Sequence, residues 1–161
     1  MAKTPPKAPA FIAAGVLLAA PISASFEGLR THPNPDPASP KLEEVCYGDT
    51  EVPMRVYTPA DCKAMLVARQ QRDYAPAVLK CVPGFADARR VHAFAASIDF
   101  AYNAGVKAFC KSRMARAFNA GNWKAGCEGF RGYYVTANGK AFRGLVMRRE
   151  AERATCLESV R

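Results

Sequence analysis

Apolar residues in the second half of the chain recur at helical spacing. Val91, Phe94 and Ile98 are three or four positions apart, so they share one face of a helix predicted over residues 87–103. Three more helices are predicted from capping residues and apolar spacing: after Ser112, after Asn122 and over residues 145–157. This half is therefore predicted to form a helical unit around residues 87–103.

Prolines set the first half apart. All twelve lie at or before Pro83, and proline interrupts both helices and sheet ladders. Residues 43–50 have the pattern of a short strand and turn, and residues 54–57 are a weaker strand candidate. The first half is therefore predicted to be rich in loops and short strands.

One long helix is predicted to link the two halves. Thr58 is a good N-cap residue, Pro59 suits the first helical position, and Asp61 can complete a capping box. Pro76 is predicted to end this helix.

An uncharged apolar segment over residues 8–26 follows two lysines. As a helix rising about 1.5 Å per residue, it is barely long enough to cross a hydrocarbon core of about 30 Å, and the lysines favour a cytoplasmic N-terminus. Two interpretations stay open: an uncleaved, weakly hydrophobic anchor, and a signal peptide cleaved after Ala24. Either way, residues 1–26 are predicted to be an export segment and residues 27–161 one domain across the inner membrane.

Composition limits the partners. The 161 residues are half hydrophobic, which suffices for one domain with a real core, and they carry a net charge of +9. This charge suits nucleic acid, anionic lipid or an acidic cell-wall polymer. Because the sequence has no RNA-binding signature, zinc-finger spacing or recognisable helix-turn-helix, no nucleic-acid partner is predicted.

Six cysteines indicate disulfides in an oxidising compartment, because their number is even, their spacing is wide and an export-like segment precedes them. Fifteen pairings are possible, and free buried thiols are the alternative. The cysteine spacing fits no zinc site and the two histidines stand apart, so no metal or cofactor is predicted. The cysteines are Cys46, Cys62, Cys81, Cys110, Cys127 and Cys156.

Seven motifs occur in one order along nearly the whole chain: "FEG", "VCYGDT", "ADCKAML", "FAYNAG", "AFCKS", "NAGNWKAGCE" and "GLVMRREAER". With the six cysteines and the alanine-rich segment, they resemble the phage-lysozyme muramidases of glycoside hydrolase family 24, and most of all the signal-arrest-release endolysins. The resemblance implies an α+β, lysozyme-like fold of two lobes, a small β-containing lobe and a larger helical lobe joined by a long helix. It also implies hydrolysis of the β-1,4 bond between N-acetylmuramic acid and N-acetylglucosamine in peptidoglycan, for host cell lysis.

The same resemblance implies the catalytic residues. Glu27 matches the family's catalytic glutamate and Asp36 its partner carboxylate, whereas Glu44 stands where the family has threonine, and Thr50 is the nearest threonine downstream. Glu27 is the expected acid, and Asp36 is expected to activate water, which predicts inversion with carboxyl groups about 6.5–9.5 Å apart. If Glu44 attacked the sugar instead, the reaction would be retaining, with a separation near about 5 Å. Glu44 could equally abolish activity by repelling its neighbours.

Two residues are substrate-binding candidates by resemblance. Asn103, at the end of the predicted core helix, matches a position that lines the family's cleft. Arg148 belongs to the "RR" pair of the last helix, and Arg148 or Arg149 is expected to hold Glu27.

The resemblance implies disulfides between sequential neighbours, Cys46–Cys62, Cys81–Cys110 and Cys127–Cys156, each stabilising by about 2–4 kcal/mol. Some related endolysins use a cysteine in the anchor, or in place of the catalytic aspartate, as a thiol switch. Residues 8–26 contain no cysteine and position 36 is Asp36, so control is expected to be topological. While residues 8–26 lie in the membrane, the cleft is not expected to assemble.

Two alternatives remain at the level of the sequence: a lytic transglycosylase, which needs only the acid, and a catalytically degenerate relative that binds the wall. The expected partners are peptidoglycan and, through residues 1–26, the inner membrane. The protein is expected to be a monomer that leaves the host inner membrane for the periplasm.

Overall fold

The structure is a computed structural model that describes residues 10–37, 39–137 and 139–161. Its elements in chain order are α1 (Ala10–Glu27), β1 (Arg30–Pro35), β2 (Glu43–Cys46), α2 (Pro59–Arg69), a π-helical turn (Gln70–Tyr74), α3 (Ala75–Cys81), 3₁₀ turns (Pro83–Ala86 and Ala88–Arg90), α4 (Val91–Ala104), α5 (Val106–Cys110), α6 (Arg113–Asn119), α7 (Trp123–Glu128), β3 (Thr136–Ala137), β4 (Lys140–Ala141), α8 (Arg143–Leu157) and a 3₁₀ turn (Glu158–Val160). A small lobe holds β1 and β2, a larger lobe is helical, and the run from α2 to α3 joins them. The predicted α+β organisation in two lobes is confirmed.

The small lobe is built on the antiparallel pair of β1 and β2. Asn34 lies opposite Glu44, and the register is irregular between Arg30 and Asn34. This lobe has its own apolar cluster of Val45, Cys46, Tyr57 and Cys62. The pairing places Glu44 on the same short hairpin as the residues around Asp36.

The strands differ in two ways from the sequence prediction. β1 escapes prediction because it contains two prolines, which central strands exclude but which a two-stranded sheet, having only edge strands, can hold. The prediction of a strand over residues 54–57 is wrong. These residues form a loop in which Val56 is 58% exposed, whereas Tyr57 is buried and its N–H donates to the Thr31 carbonyl of β1 at 2.9 Å.

The helical run between the lobes is longer than predicted. Thr58 caps it as expected, since its Oγ1 accepts a hydrogen bond from the Asp61 N–H and its own N–H donates to the Asp61 carboxylate. The prediction that Pro76 ends the helix is wrong. The π-helical turn at Gln70–Tyr74 precedes Pro76, which then lies in the first turn of α3, where a missing N–H is tolerated.

The centre of the helical lobe is α4. Residues 93–101 are all buried, and the rings of Phe94 and Phe100 contact further aromatic rings of the core. Ser112 and Asn122 cap α6 and α7 as predicted, each accepting a backbone N–H with its side-chain oxygen. The helical second half of the chain is thus organised around α4.

The N-terminal helix α1 packs against α4. Its buried face consists of Ile12, Gly15, Val16, Ala19, Ala20 and Ser23. Leu17 and Leu18 stay exposed on the other side. Among the described residues α1 is the one helix long and apolar enough to cross a membrane, and 33% of it is buried inside the protein. In this structure α1 is therefore part of the helical lobe.

Three disulfides are present, in the pairing implied by the resemblance. Cys46–Cys62 joins β2 to α2, Cys81–Cys110 joins α3 to α5, and Cys127–Cys156 joins α7 to α8. The first bond lies in the small lobe and the other two lie in the helical lobe, so each lobe is cross-linked separately.

The contact between α1 and α4 depends on Gly15. A Cβ atom there would lie 2.6 Å from Cδ1 of Phe94, so we expect Gly15→Val to lower the free energy of unfolding by about 1–3 kcal/mol through overpacking. Denaturant unfolding measures this change. Ala14→Val is the matched control, because Ala14 is the exposed neighbour on the same helix. Equal effects of the two changes would show that α1 does not pack as described.

Candidate active site

A cleft of about 300 Å³ lies between the two lobes. Glu27 reaches it from the end of α1, and the turn that follows β2 forms the opposite wall. The lining residues are Glu27, Tyr47, Gly48, Asp49, Thr50, Glu51, Arg69, Tyr74, Tyr102 and Asn103. Two predicted site residues, Glu27 and Asn103, therefore share this cleft.

Glu27 is the last residue of α1. The helix stops here because Gly28 adopts φ +74°, a conformation that favours glycine, while its N–H donates to the Ala24 carbonyl. The Glu27 side chain is 26% exposed, so it is accessible from the cleft. Its Oε1 accepts a hydrogen bond of 2.5 Å from Nη1 of Arg148.

Arg148, on α8, is 3% exposed and is held by Asp99 of α4. Its Nε donates to Oδ2 of Asp99 at 3.0 Å, and its Nη2 donates to Oδ1 at 2.7 Å. Burial opposes the charge of Arg148, but Asp99 and Glu27 outweigh burial and raise the pKa of the guanidinium. Arg148 therefore stays charged, with its planar group fixed by Asp99 and directed at Glu27.

Asp36 and Glu44 lie on the β1–β2 hairpin beside the cleft. The Asp36 N–H donates to the Leu42 carbonyl at 2.8 Å, and a Glu44 carboxylate oxygen lies 3.3 Å from Nη1 of Arg30. The pKa of Glu44 is raised, chiefly by burial and further by Asp36 and Glu27, although Arg30 acts in the opposite direction. Asp36 and Glu27 thus each lie close enough to Glu44 to affect it electrostatically.

Gly48 lies between Glu27 and Glu44. A Cβ atom on Gly48 would be 3.6 Å from Oε2 of Glu44 and 3.7 Å from Oε2 of Glu27. The distance between Oε2 of Glu44 and Oε2 of Glu27 therefore cannot exceed the sum of these two distances. That bound admits both the about 5 Å separation of retaining glycosidases and the shorter part of the about 6.5–9.5 Å range of inverting enzymes.

Two features of the cleft wall were not expected from the sequence. Arg69 pairs with Asp49 at 2.9 Å and with Glu51 at 2.9 Å, which fixes the turn after β2 to α2. The hydroxyl of Tyr102, from α4, donates to the Tyr47 carbonyl at 2.8 Å, and burial raises the pKa of this phenol. These contacts join the two walls of the cleft, and apolar spacing alone gives no signal for them.

Asn103 and the second arginine of the pair form another contact. Nη2 of Arg149 donates to Oδ1 of Asn103 at 2.8 Å and lies 2.8 Å from Oε1 of Glu152. Glu152 is fully buried, and its pKa is raised well above the usual value, first by burial and then by Asp99. Burial thus favours the neutral form of Glu152, although Arg149 lies beside it.

The arginine expected to hold Glu27 is therefore Arg148, whereas Arg149 holds Asn103. Asp99 and Glu152 are two further residues of the site that were not expected from the sequence. Asp99 could have been noticed because it is an acidic residue inside an apolar helical pattern. A carboxyl group buried in this way needs a polar or charged partner.

A sequence profile described as Phage lysozyme matches residues 24–152. The chain belongs to the phage lysozyme family. Several of its relatives carry the name SAR-endolysin. The protein of Bacteriophage PS119 is 36% identical over 141 residues, spanning 82% of this chain and 77% of the relative. The protein of Enterobacteria phage P21 is 34% identical over 119 residues, spanning 70% of this chain and 67% of the relative.

Solved structures confirm the lysozyme-like fold of this phage lysozyme family member. The muramidase domain of SpmX from Asticaccaulis excentricus has a TM-score of 0.72 and 26% identity, covering 89% of this chain and 95% of that domain. The active form of the P1 phage endolysin Lyz has a TM-score of 0.72 and 24% identity, covering 92% of this chain and 85% of that one. The second likeness concerns the fold alone.

The buried Glu152 predicts how stability depends on pH. Its raised pKa means that the folded protein holds this proton more tightly than the unfolded chain, so stability is lost as pH rises from about 4.5 towards the folded pKa. Glutamine cannot ionise. We expect Glu152→Gln to match the unchanged protein near about pH 4 and to become relatively more stable as pH rises, by about 1.4 kcal/mol for each pKa unit of elevation.

Denaturant unfolding at several pH values measures this difference. Glu150→Gln is the control on the same helix, because a hydrogen bond from Arg131 lowers the pKa of Glu150. A lowered pKa contributes stability above the unfolded pKa, so this change should act in the opposite direction, with a smaller effect at an exposed site. A Glu152→Gln variant that loses stability at neutral pH would show that Glu152 is ionised.

Proposed function

We propose that this protein hydrolyses the β-1,4 bond between N-acetylmuramic acid and N-acetylglucosamine in peptidoglycan and thereby lyses the host cell. The observation that carries the proposal is Glu27, which is accessible from a cleft between two lobes while a buried arginine fixes its carboxyl group. A fixed acid at the edge of a sugar-sized cleft can protonate the leaving oxygen of a glycosidic bond. Membership of the phage lysozyme family supports the same reaction.

In this mechanism Glu27 donates the proton and Asp36 positions water on the opposite face of the sugar. Arg148 remains the charged partner that directs the Glu27 carboxyl group into the cleft. Because water must fit between the sugar and Asp36, the expected product has the inverted anomeric configuration.

Glu44 provides a second possible mechanism. It is partly buried, it lies across Gly48 from Glu27, and the bound on the separation of their oxygens admits a retaining geometry. In that case Glu44 attacks the anomeric carbon and forms a glycosyl-enzyme, which water then hydrolyses with Glu27 as base. The anomeric configuration of the first product separates the two mechanisms.

The substrate-binding roles of Asn103 and Arg148 remain predictions. Asn103 lines the cleft, and its Oδ1 is occupied by Arg149, so its amide N–H₂ group is the part directed to a sugar oxygen or an N-acetyl group. The burial of Arg148 favours the role of holding Glu27 over direct contact with substrate. The net charge of +9 favours attraction to the anionic wall.

We further propose that α1 is the membrane anchor of an exported precursor and that the released protein acts as a monomer in the periplasm. The length and composition of α1, and relatives named SAR-endolysin, support this. The face of α1 that contacts α4 would be covered by lipid in the anchored state. The lobe around Glu27 therefore assembles only when α1 leaves the bilayer. A mature N-terminus at Ser25 would instead indicate a cleaved signal peptide.

Replacing the proposed acid tests the function. We expect Glu27→Gln to lower the rate of clearing of purified peptidoglycan by about 10²–10⁴-fold, because the leaving oxygen loses its proton donor. Glu43→Gln is the control, since Glu43 is an exposed glutamate of β2 that does not line the cleft. Full activity of Glu27→Gln would refute the proposal.

Asp36→Asn separates hydrolysis from the transglycosylase alternative. We expect this change to lower the rate of hydrolysis, because water loses the carboxylate that activates it. Mass spectrometry of the products should show reducing ends. Retained activity together with anhydromuramic products would establish a lytic transglycosylase, which needs the acid alone. A wild-type protein that binds the wall without cleaving it would establish the degenerate alternative.

Glu44→Thr restores the residue usual in the family and tests the mechanism. For the inverting reaction we expect turnover to be retained or raised, with the inverted anomer appearing first by NMR. If Glu44 is the nucleophile, this change should lower turnover by more than about tenfold, and the unchanged enzyme should form the retained anomer. Glu43→Gln again controls for the loss of one hairpin carboxylate.

A further inference from the structure

Among the described residues of α1, Ser23 is the polar residue on the buried face. Its side chain is fully buried, as are those of Asp99 and Gln70. The Ser23 hydroxyl donates to Oδ1 of Asp99 at 2.5 Å and accepts a hydrogen bond from Nε2 of Gln70 at 2.7 Å. One hydroxyl thus joins α1, α4 and the π-helical turn.

The same Asp99 oxygen also accepts Nη2 of Arg148, and Nη1 of Arg148 donates to Glu27. Ser23 and Glu27 are four residues apart on α1, which is about one turn, so they lie on the same side of the helix. The contacts therefore close a ring: Ser23 to Asp99, Asp99 to Arg148, Arg148 to Glu27, and back along α1. Each member is fixed from two sides.

We propose that Ser23 is a positioning residue for Glu27, acting through Asp99 and Arg148; this rests on the proposed function of Glu27 as the acid. Arg148 donates to both Asp99 oxygens, so the orientation of the Asp99 carboxylate sets the plane of the guanidinium. That orientation is set in turn by the Ser23 hydroxyl, which Gln70 keeps aimed at Asp99. A small rotation of Asp99 would move Nη1 of Arg148 and, with it, the carboxyl group of Glu27.

Gln70 is the first residue of the π-helical turn. It is a fully buried amide on an otherwise amphipathic helical run, and its donor is occupied by Ser23. A π-helical turn widens the helix by one residue and redirects the side chains at that point. The unusual turn thus coincides with the residue that holds Ser23 in place.

The test compares Ser23→Ala with Ser25→Ala on solubilised peptidoglycan fragments. We expect Ser23→Ala to lower kcat by about tenfold with KM unchanged, because a hydrogen bond to a charged group is lost while the cleft stays intact. Ser25 is exposed, and its hydroxyl donates within its own helix to the Ile22 carbonyl, so Ser25→Ala should leave both constants unchanged. Alanine is favourable in a helix, and both proteins are expected to fold.

Rescue distinguishes positioning from a purely structural role. Ser23→Thr returns a hydroxyl and should recover most of the lost kcat. Gln70→Met removes the donor to Ser23 at nearly the same length, and we expect it to lower kcat by about two- to fourfold. If Ser23→Thr does not fold, Gln70→Met and Ser23→Ala decide the matter. Thermal unfolding of each variant confirms that folded proteins are compared.

The inference is overturned if folded Ser23→Ala keeps more than half of the wild-type kcat, if its loss lies in KM, or if Ser25→Ala loses as much. It is also overturned if Gln70→Met is fully active. An unchanged protein that does not cleave peptidoglycan overturns the proposed function, and this inference with it. An active wild type with an active Ser23→Ala variant overturns this inference alone.

Discussion

Arg148 carries its charge in the interior of the protein, between Asp99 of α4 and Glu27 of α1. Removing a charge such as that of Arg148 from water is costly, and this cost is offset only where hydrogen bonds and opposite charges surround the group. The bidentate contact with Asp99 meets this requirement, and the contact with Glu27 completes it. Because the three residues come from α8, α4 and α1, this set of hydrogen bonds forms only when all three helices are in place. The proposed acid is thus positioned by the packing of the whole lobe.

The composition of α1 fits both environments that we propose for it. Alanine and glycine contribute little free energy of transfer into a bilayer, so a segment rich in them is a weak anchor. The same small side chains allow α1 to approach α4 closely, as the contact of Gly15 with Phe94 shows. Ser23 adds a hydroxyl that has charged and polar partners only inside the folded lobe. Residues that weaken membrane insertion therefore strengthen docking onto α4.

Contacts between residues close in sequence were predictable, whereas contacts between residues far apart in sequence were not. The caps at Thr58 and Ser112 follow from short-range hydrogen bonds, and the sequence predicts them correctly. The prediction from Pro76 was wrong, because the helical run continues past this residue after a π-helical turn. No feature of the composition marks that turn. The assignment of Glu27 came from resemblance. Glu27 is connected to Asp99 through Arg148, and these three residues are far apart in the sequence. Their contacts depend on how the helices pack, which cannot be read from residue spacing.

Glu44 shows how a single departure from a family pattern changes the electrostatics of a site. Threonine is neutral, whereas Glu44 adds a partly buried carboxyl group near Asp36 and Glu27, with Arg30 as its countercharge. Burial raises the pKa of Glu44, so it takes up a proton more readily than an exposed glutamate. When protonated, it resembles threonine in being a neutral group that can donate a hydrogen bond. When ionised, it is a potential nucleophile. The choice between the two mechanisms therefore depends on pH as well as on geometry, and retention requires conditions in which Glu44 has lost its proton.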